Sequence, residues 1–329
     1  MKHNIKITII LIAMFFITQL IGLAVVYMYN PVVQQVVVNG TIQNVTINPL
    51  PYGMEPPQID KQASFFSIVI AFTMAILFIF LLTKLKAAMF IRIWFFVVVV
   101  IVLGITFNAP LSKFIHYSIY SDTTGIQIKI SSLISLVLAL PLAIYKIFKR
   151  NLIVHNLTEL LIYPGIAVVF IPLLSIWTVI LLLLLISVYD MWAVWHSGFM
   201  QKMAKFQMNE LKLFAGFFIP YLSKKQRELV KQAKADMKMK KKKSKKMKPM
   251  KVNLAILGGG DVVFPIITSG IIFRAWGLLP ALIVIVCATL ALSGLFILAK
   301  KGKFYPAMPF ITAGLLAGIL IGYLITYLI

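Results

Sequence analysis

Two aspartates stand out because each lies well inside an apolar run. Asp190 occurs in LLISVYDMWAVW, and Asp261 follows three glycines in AILGGGDVVFP. A carboxylate near the middle of a membrane costs at least ~2.5–3.5 kcal/mol on insertion scales, so such residues usually serve a function. Two close carboxylates do not easily both ionise, and the pair then holds a single proton. Such a pair can hydrolyse a peptide bond, with one group activating water and the other protonating the scissile carbonyl oxygen.

The composition predicts that these aspartates lie in a membrane protein. The chain has 329 residues, of which 61% are hydrophobic and 12% charged, whereas soluble domains carry about 25% charged residues. A membrane-spanning helix needs about 20 apolar residues. We therefore predict an all-α membrane protein with nine transmembrane helices, with Pro172 separating the fifth from the sixth. The predicted spans are 7–28, 64–83, 88–108, 127–148, 154–171, 174–196, 253–273, 276–299 and 305–328.

The positions of lysine and arginine predict the orientation of these spans. If the N-terminus is cytoplasmic, the inner segments hold 28 of the 32 Lys and Arg residues, and 17 of them lie between Lys202 and Lys251. Without that long loop the ratio is still 11 to 4 in favour of the inner side, as the positive-inside rule requires. We expect a multi-pass protein of the plasma membrane with a cytoplasmic N-terminus and an external C-terminus.

This topology brings the two aspartates to a common depth. Asp190 lies about seven residues, or ~10 Å, from the inner end of the sixth span, and Asp261 about nine residues, or ~13 Å, from the inner start of the seventh. Consecutive antiparallel spans can place the two carboxylates face to face. The sequence offers neither a Ser–His pairing nor an HExxH zinc signature, so we expect no metal site and no organic cofactor.

Three glycines precede the second aspartate, and two prolines stand at the start of the last predicted span. Gly258, Gly259 and Gly260 have no side chains, so an extended substrate backbone could approach Asp261; valine at position 260 is expected to fill that space and inactivate the protein. Close helix packing through small residues is the alternative. Pro306 to Pro309 (PAMP) opens the ninth span, either as an ordinary proline-containing helix start or as irregular backbone lining a cavity.

These motifs carry a family resemblance. The order YD in the sixth span, GGGD as a GxGD motif in the seventh and PAMP at the start of the ninth resembles presenilins and signal peptide peptidases, the intramembrane aspartyl proteases. The resemblance implies that Asp190 and Asp261 are catalytic. It assigns substrate contacts to Tyr189, Gly258, Gly259, Gly260, Pro306, Ala307, Met308 and Pro309.

The resemblance also suggests finer expectations. Gly259 is the variable position of GxGD and is expected to tolerate alanine, and Met308 stands where the family usually has leucine. The cytoplasmic N-terminus resembles that of presenilins, which implies single-span substrates with an external N-terminus. The chain looks like a microbial presenilin homologue, although the sequence does not indicate whether accessory subunits take part.

The rest of the chain divides around one basic segment. We expect an N-terminal bundle over 1–196, a cytoplasmic loop over 197–252 and a C-terminal bundle over 253–329. The loop begins with an amphipathic, interfacial stretch and continues as a lysine run that we interpret as disordered and attracted to anionic lipid rather than to nucleic acid. Glu159, near the inner end of the fifth span, is expected to lie at the membrane interface.

One alternative function stays open at this point. Paired intramembrane carboxylates beside broken helices also suit a proton- or cation-coupled transporter or channel. Inverted repeats would favour that function, and none is evident in the sequence.

Overall fold

The computed structural model of the chain describes its structure in separate stretches. They are residues 5–30, 32–38, 41–47, 66–67, 69–71, 73–74, 77–78, 81, 88–120, 127–149, 151–197, 215–221, 253–299 and 305–328. The lysine run of the predicted loop and most of the second predicted span lie outside these residues.

Eight α-helices make up most of the described structure. They are α1 (Ile5–Met28), α2 (Ala88–Phe114), α3 (Ile130–Ile144), α4 (Leu152–Phe170), α5 (Ile176–Trp192), α6 (Gly259–Trp276), α7 (Leu278–Leu298) and α8 (Met308–Leu328). The π-helical turns Tyr145–Lys149 and Ala193–Ser197 extend α3 and α5, and the 3-10 turn Ile171–Leu173 separates α4 from α5. The predicted division of the fifth and sixth spans at Pro172 is therefore confirmed.

Local signals in the sequence explain where several helices begin and end. The Asn151 side chain accepts a hydrogen bond from the Ile153 N–H at 2.9 Å and caps α4, and the Ser175 hydroxyl accepts one from the Thr178 N–H at 3.2 Å and caps α5. Such caps satisfy N–H groups that the first turn leaves free. Gly277, with φ of 90°, turns the chain from α6 into α7, a conformation that favours glycine.

Seven of the eight described helices are long and apolar enough to cross a membrane. The exception is α6, which has 18 residues and packs against α1, α4, α5, α7 and α8. Ile266 and Ile272 on this helix are fully buried. Because protein rather than lipid surrounds α6, it can carry polar residues that a lipid-facing span would exclude.

The structure also contains three two-stranded antiparallel sheets, which we call hairpins. The expected all-α fold is therefore corrected to a mostly helical one. The strands are β1 (Val32–Val38), β2 (Thr41–Ile47), β3 (Ser118–Tyr120), β4 (Gln127–Lys129), β5 (Gly216–Tyr221) and β6 (Asn253–Gly258). They pair as β1–β2, β3–β4 and β5–β6. In the last pair, Gly216 lies opposite Gly258 and Phe218 opposite Ile256.

The β5–β6 hairpin corrects two predicted boundaries. The seventh span was predicted to be helical from residue 253, but 253–258 forms β6 and the helix begins only at Gly259. Strand β5 supplies hydrogen-bonding partners for an extended chain over these residues, and helix α6 begins within the glycine run, with Gly258 as its cap residue. Residues 216–221, predicted as part of an interfacial stretch, form β5, and Phe217 is completely buried with its ring edge against Tyr163. The same kind of correction applies at 127–129, which is strand rather than the start of the fourth span.

Helices α7 and α8 pack closely through glycines spaced four residues apart on α8. A Cβ atom added at Gly318 would lie 2.7 Å from the Val284 Cα of α7, and one at Gly322 would lie 3.0 Å from the Pro280 Cβ. At Gly314 it would lie 2.5 Å from the Ala291 Cβ. Small residues at this spacing let two membrane helices approach until their backbones touch.

Candidate active site

Asp190 lies near the C-terminal end of α5 and is buried. Its Oδ2 accepts a hydrogen bond from the Met308 N–H at 3.1 Å, and the main chain of Ala307 also interacts with the carboxylate. Its Oδ1 is buried and makes no hydrogen bond to the described residues. One oxygen is therefore held in place while the other is left for a reacting group.

The PAMP residues determine which main-chain donor reaches Asp190. Helix α8 begins at Met308, so the Met308 N–H is one of the free donors of the first turn. Pro306 and Pro309 have no N–H, so within PAMP only Ala307 and Met308 can donate. An anionic group at a helix N-terminus is also favoured by the helix dipole. The structure thus places the predicted PAMP element directly at Asp190.

Asp261 occupies the first turn of α6. Gly258 precedes this helix in extended conformation as its cap residue, and the Asp261 carboxylate folds back to accept a hydrogen bond from the main chain of Gly258. An acid at the third helical position that bonds back to the cap residue is one half of a capping box. The first turn of α6 therefore fixes the direction of the Asp261 carboxylate.

Three helices bring the two aspartates together. Asp190 is close enough for its charge to act on Asp261, and α8 packs against both α5 and α6. The Ser187 hydroxyl, one turn before Asp190, lies 2.7 Å from the Thr312 hydroxyl, one turn after Met308. This buried pair fixes α5 and α8 relative to each other beside the site.

The three glycines before Asp261 have different surroundings. A Cβ atom at Gly258 would lie 3.1 Å from Asp261 Oδ2, and one at Gly259 would lie 2.9 Å from the Tyr163 hydroxyl. At Gly260 the nearest atom is a ring carbon of Phe264 at 4.0 Å. The predicted tolerance of Gly259 to alanine is therefore replaced by the opposite prediction, because Tyr163 is buried and fills the space that a methyl group would need.

Tyr189 points away from the aspartates. It is 41% exposed and its ring packs against Trp192 on the outer side of α5, with 6.3 Å between the ring centroids. The structure therefore does not bring Tyr189 together with Ala307 and Met308, which lie at the Asp190 carboxylate, or with the glycines that precede Asp261.

The β5–β6 hairpin ends at the site and has one covered edge and one open edge. Asn156 of α4 bonds both main-chain groups of Phe218, with its amide nitrogen 2.7 Å from the Phe218 oxygen and its amide oxygen 3.0 Å from the Phe218 nitrogen. This covers the outer edge of β5. Among the described strands, none pairs with the other edge of β6. Because Phe218 turns its main-chain groups toward Asn156, its partner Ile256 turns its own groups away from β5 and toward the open edge. Main-chain groups of alternate residues point to the same edge, so those of Gly258 also face the open edge.

Sequence reasoning missed a buried ionic pair next to the site. Glu159 was expected at the membrane interface, but its side chain is only 1% exposed and lies 2.5 Å from the Lys146 Nζ. Sequence reasoning missed the pairing because hydropathy places Glu159 near a helix end without showing that the turn after α3 supplies a lysine partner. The spacing of Glu159 and Tyr163, one helical turn apart, is a signal that could have suggested a common face.

Comparison with known proteins assigns the family. A model of the family described as "Signal-peptide peptidase, presenilin aspartyl protease" matches residues 28–328. Two solved structures of a presenilin family intramembrane aspartate protease, in space groups C222 and P2, share the fold with TM-scores of 0.53 and 0.55, each at 18% identity. The first match covers 97% of this chain and 99% of the other, and the second covers 96% of each.

No curated protein sequence matches this chain significantly. The family match spans more than half of the chain, and the helices long and apolar enough to cross a membrane agree with it. The chain therefore belongs to the signal-peptide peptidase and presenilin aspartyl protease family, and it is a multi-pass intramembrane aspartic protease.

Proposed function

We propose that the protein hydrolyses peptide bonds within the transmembrane segments of single-span proteins, with Asp190 and Asp261 as a general acid and base pair. The observation that carries this proposal is the convergence of the two carboxylates at the junction of α5, α6 and α8, where main-chain groups hold both of them. With the protease family established, the transporter alternative has no observation in its favour.

The chemistry needs one proton shared between the two carboxylates. The ionised carboxylate takes a proton from a water molecule while the water oxygen attacks the scissile carbonyl carbon, and the protonated carboxyl gives its proton to the carbonyl oxygen. The resulting diol collapses when a proton reaches the amide nitrogen and the C–N bond breaks. The unbonded Oδ1 of Asp190 is the oxygen that this scheme leaves free to contact water or the carbonyl.

The open edge of β6 supports a binding mode for the substrate. A peptide bond inside a helix is shielded and already hydrogen-bonded, so the substrate must unwind before it is cut. An extended segment can add to an exposed strand edge through main-chain hydrogen bonds. Pairing with Ile256 would lead such a segment past Gly258 and Gly260 to the Asp261 carboxylate, because β6 runs directly into α6.

Single substitutions at the two aspartates test the proposal. We expect Asp190→Asn and Asp261→Asn each to reduce cleavage of a reconstituted single-span substrate by at least about 100-fold. Asparagine keeps the shape of the side chain, so the thermal unfolding midpoint is expected to stay close to that of the unchanged protein. Products are identified by mass spectrometry, and the unchanged protein should give a bell-shaped pH–rate profile. Full activity in either variant would disprove the assignment.

We also propose the number of spans, their orientation and the division of the chain into bundles. We propose nine spans with a cytoplasmic N-terminus in the plasma membrane, and bundles over 1–196 and 253–329 that are joined by the basic segment 197–252. The lysine run, which lies outside the described residues, is proposed to associate with anionic lipid. Labelling of single cysteines by an impermeant thiol reagent from each side of the membrane tests this orientation.

A further inference from the structure

A cluster of ionic and polar side chains lies between α3, α4 and the β5–β6 hairpin. It consists of Lys146, His155, Glu159 and Tyr163, which we call the α4 cluster. The Lys146 and Glu159 side chains are 2% and 1% exposed and form a salt bridge, and the Lys146 Nζ also lies 3.3 Å from His155 Nδ1. Ionisable residues buried at this level of a membrane protein are expensive and are usually functional.

One arm of the cluster reaches β5. Because a lysine ammonium group can only donate, His155 Nδ1 accepts from Lys146, and the ring proton is therefore on Nε2. His155 Nε2 then donates to the Gly216 carbonyl oxygen at 2.8 Å. Gly216 lies directly opposite Gly258 in the hairpin. The first arm thus fixes the end of the hairpin that adjoins the GxGD residues.

The second arm reaches the first turn of α6. Tyr163 lies one helical turn after Glu159 and interacts electrostatically with both Glu159 and Asp261. Its hydroxyl is 2.9 Å from the position that a Cβ atom of Gly259 would occupy. Gly259 in turn donates its N–H to the Ala215 carbonyl oxygen at 3.2 Å. The turn that carries Asp261 therefore packs against the Tyr163 ring.

A purely structural role explains the α4 cluster poorly. A buried ion pair is costly to desolvate, and apolar residues of similar volume often stabilise a fold equally well or better. Moreover, the Tyr163 hydroxyl and Glu159 Oε2 are buried and make no close hydrogen bond to the described residues, although the hydroxyl interacts with the Glu159 carboxylate. Incompletely satisfied buried groups carry a free-energy cost, and here the Tyr163 hydroxyl lies beside Gly259, in the turn that holds the Asp261 carboxylate.

We propose that the α4 cluster is a positioning network, in which His155 fixes β5 at Gly216 and Tyr163 fixes the first turn of α6 at Gly259. Together these two contacts set the Asp261 carboxylate and the open edge of β6 relative to each other. The proposal rests on the proposed function of Asp261. The members of the cluster act through other residues and do not themselves contact the reacting atoms.

The substitution Tyr163→Phe tests the second arm because it removes only a hydroxyl and keeps the ring packed on Phe217. We expect kcat for a single-span substrate to fall on the order of 10-fold, as small misplacements of reacting groups do, with KM unchanged. Binding of a peptide isostere with a hydroxyl group in place of the scissile carbonyl is expected to weaken in parallel. An unchanged kcat would overturn the proposal.

Tyr29→Phe is the matched control. Tyr29 is also buried, and its hydroxyl donates to the Ile105 carbonyl oxygen at 2.7 Å, but this bond joins the residue that follows α1 to α2, away from the aspartates. We expect Tyr29→Phe to lower the unfolding midpoint and to leave kcat per folded protein unchanged. An equal loss of kcat in the two variants would mean that any buried hydroxyl has this effect, and would also overturn the proposal.

A charge-pair experiment separates positioning from stability. Lys146→Met or Glu159→Leu alone leaves an unpaired buried charge, so each is expected to lower the unfolding midpoint strongly, and the double variant should recover it. A positioning role predicts that kcat of the double variant stays about 10-fold low despite this recovery. Recovery of both the midpoint and kcat would show that the pair only stabilises the fold.

The dyad variants in the same assay distinguish the two proposals. If Asp190→Asn and Asp261→Asn lose cleavage while Tyr163→Phe cleaves at the full rate, the positioning network is wrong and the proposed dyad stands. If the aspartate variants retain cleavage, the dyad is wrong, and with it the reason for a positioning network.

Discussion

Gly258 and Gly259 before Asp261 and the glycines of α8 are all closely packed, but against different kinds of neighbour. On α8, Gly318 faces the backbone of α7, with the Val284 Cα 2.7 Å from the position of a Cβ atom. Before Asp261, a Cβ atom at Gly258 would meet the Asp261 carboxylate at 3.1 Å, and one at Gly259 would meet the Tyr163 hydroxyl at 2.9 Å. In the first region glycine permits two helices to touch, and in the second it makes room for polar side chains.

The glycines of α8 are therefore expected to affect stability, and those before Asp261 to affect activity. A side chain added on α8 would push apart two helices that form a large part of the C-terminal bundle. One added at Gly258 or Gly259 would displace a single carboxylate or a single tyrosine, while the helices around them could stay in place. Substitutions in the two regions should therefore be distinguishable by whether the unfolding midpoint or the catalytic rate changes more.

The largest effect is expected on α8. Gly318→Leu would force side-chain atoms into the Val284 backbone, so we expect the free energy of unfolding to fall by more than about 3 kcal/mol, the upper end of ordinary overpacking. Gly294→Leu on α7 is the matched control, because nothing lies within 4 Å of a Cβ atom there. Thermal unfolding in detergent measures both variants. Similar midpoints for the two would show that α7 and α8 do not depend on this close approach.

The sequence could predict the helices and the aspartates because both depend on local signals. Apolar runs of sufficient length and the split at Pro172 are visible without tertiary contacts, and Asp190 and Asp261 stand out because each lies inside such a run. The β5–β6 hairpin could not be predicted in this way. Its strands are separated by a long basic segment, and an apolar run such as 253–258 suits helix and strand alike until its partner is known.

The ion pair near the site was missed for a related reason. Lys146 and Glu159 lie on different helices, and each alone resembles an ordinary charge at a span end. Their pairing depends on how α3 packs against α4, which hydropathy does not report. The same applies to Gly259, whose neighbour Tyr163 is 96 residues earlier in the chain. The motifs therefore led to the proposed chemistry of the site, whereas its supporting contacts required the structure.

A smaller effect is expected at Gly259. Gly259→Ala places a methyl group against the Tyr163 hydroxyl, so we expect kcat to fall on the order of 10-fold with a modest change in the unfolding midpoint. Combining it with Tyr163→Phe removes the closest atom, although the Tyr163 Cε1 remains at 3.1 Å. The double variant should therefore lose less than the product of the two single losses. Losses that multiply would mean that the two residues act independently.

The smallest effect on stability, and the most selective effect on activity, is expected at Gly260. This residue is exposed, and the only atom near an added Cβ belongs to the Phe264 ring at 4.0 Å. Gly260→Val should therefore leave the unfolding midpoint nearly unchanged, because no neighbour has to move. If substrate approaches along the open edge of β6, the valine methyl groups occupy its path beside Asp261, and kcat/KM should fall through a higher KM, with Gly260→Ala giving a weaker form of the same change. Unchanged kcat/KM in the valine variant would place the substrate elsewhere, and Gly260 would then serve only the conformation of the turn.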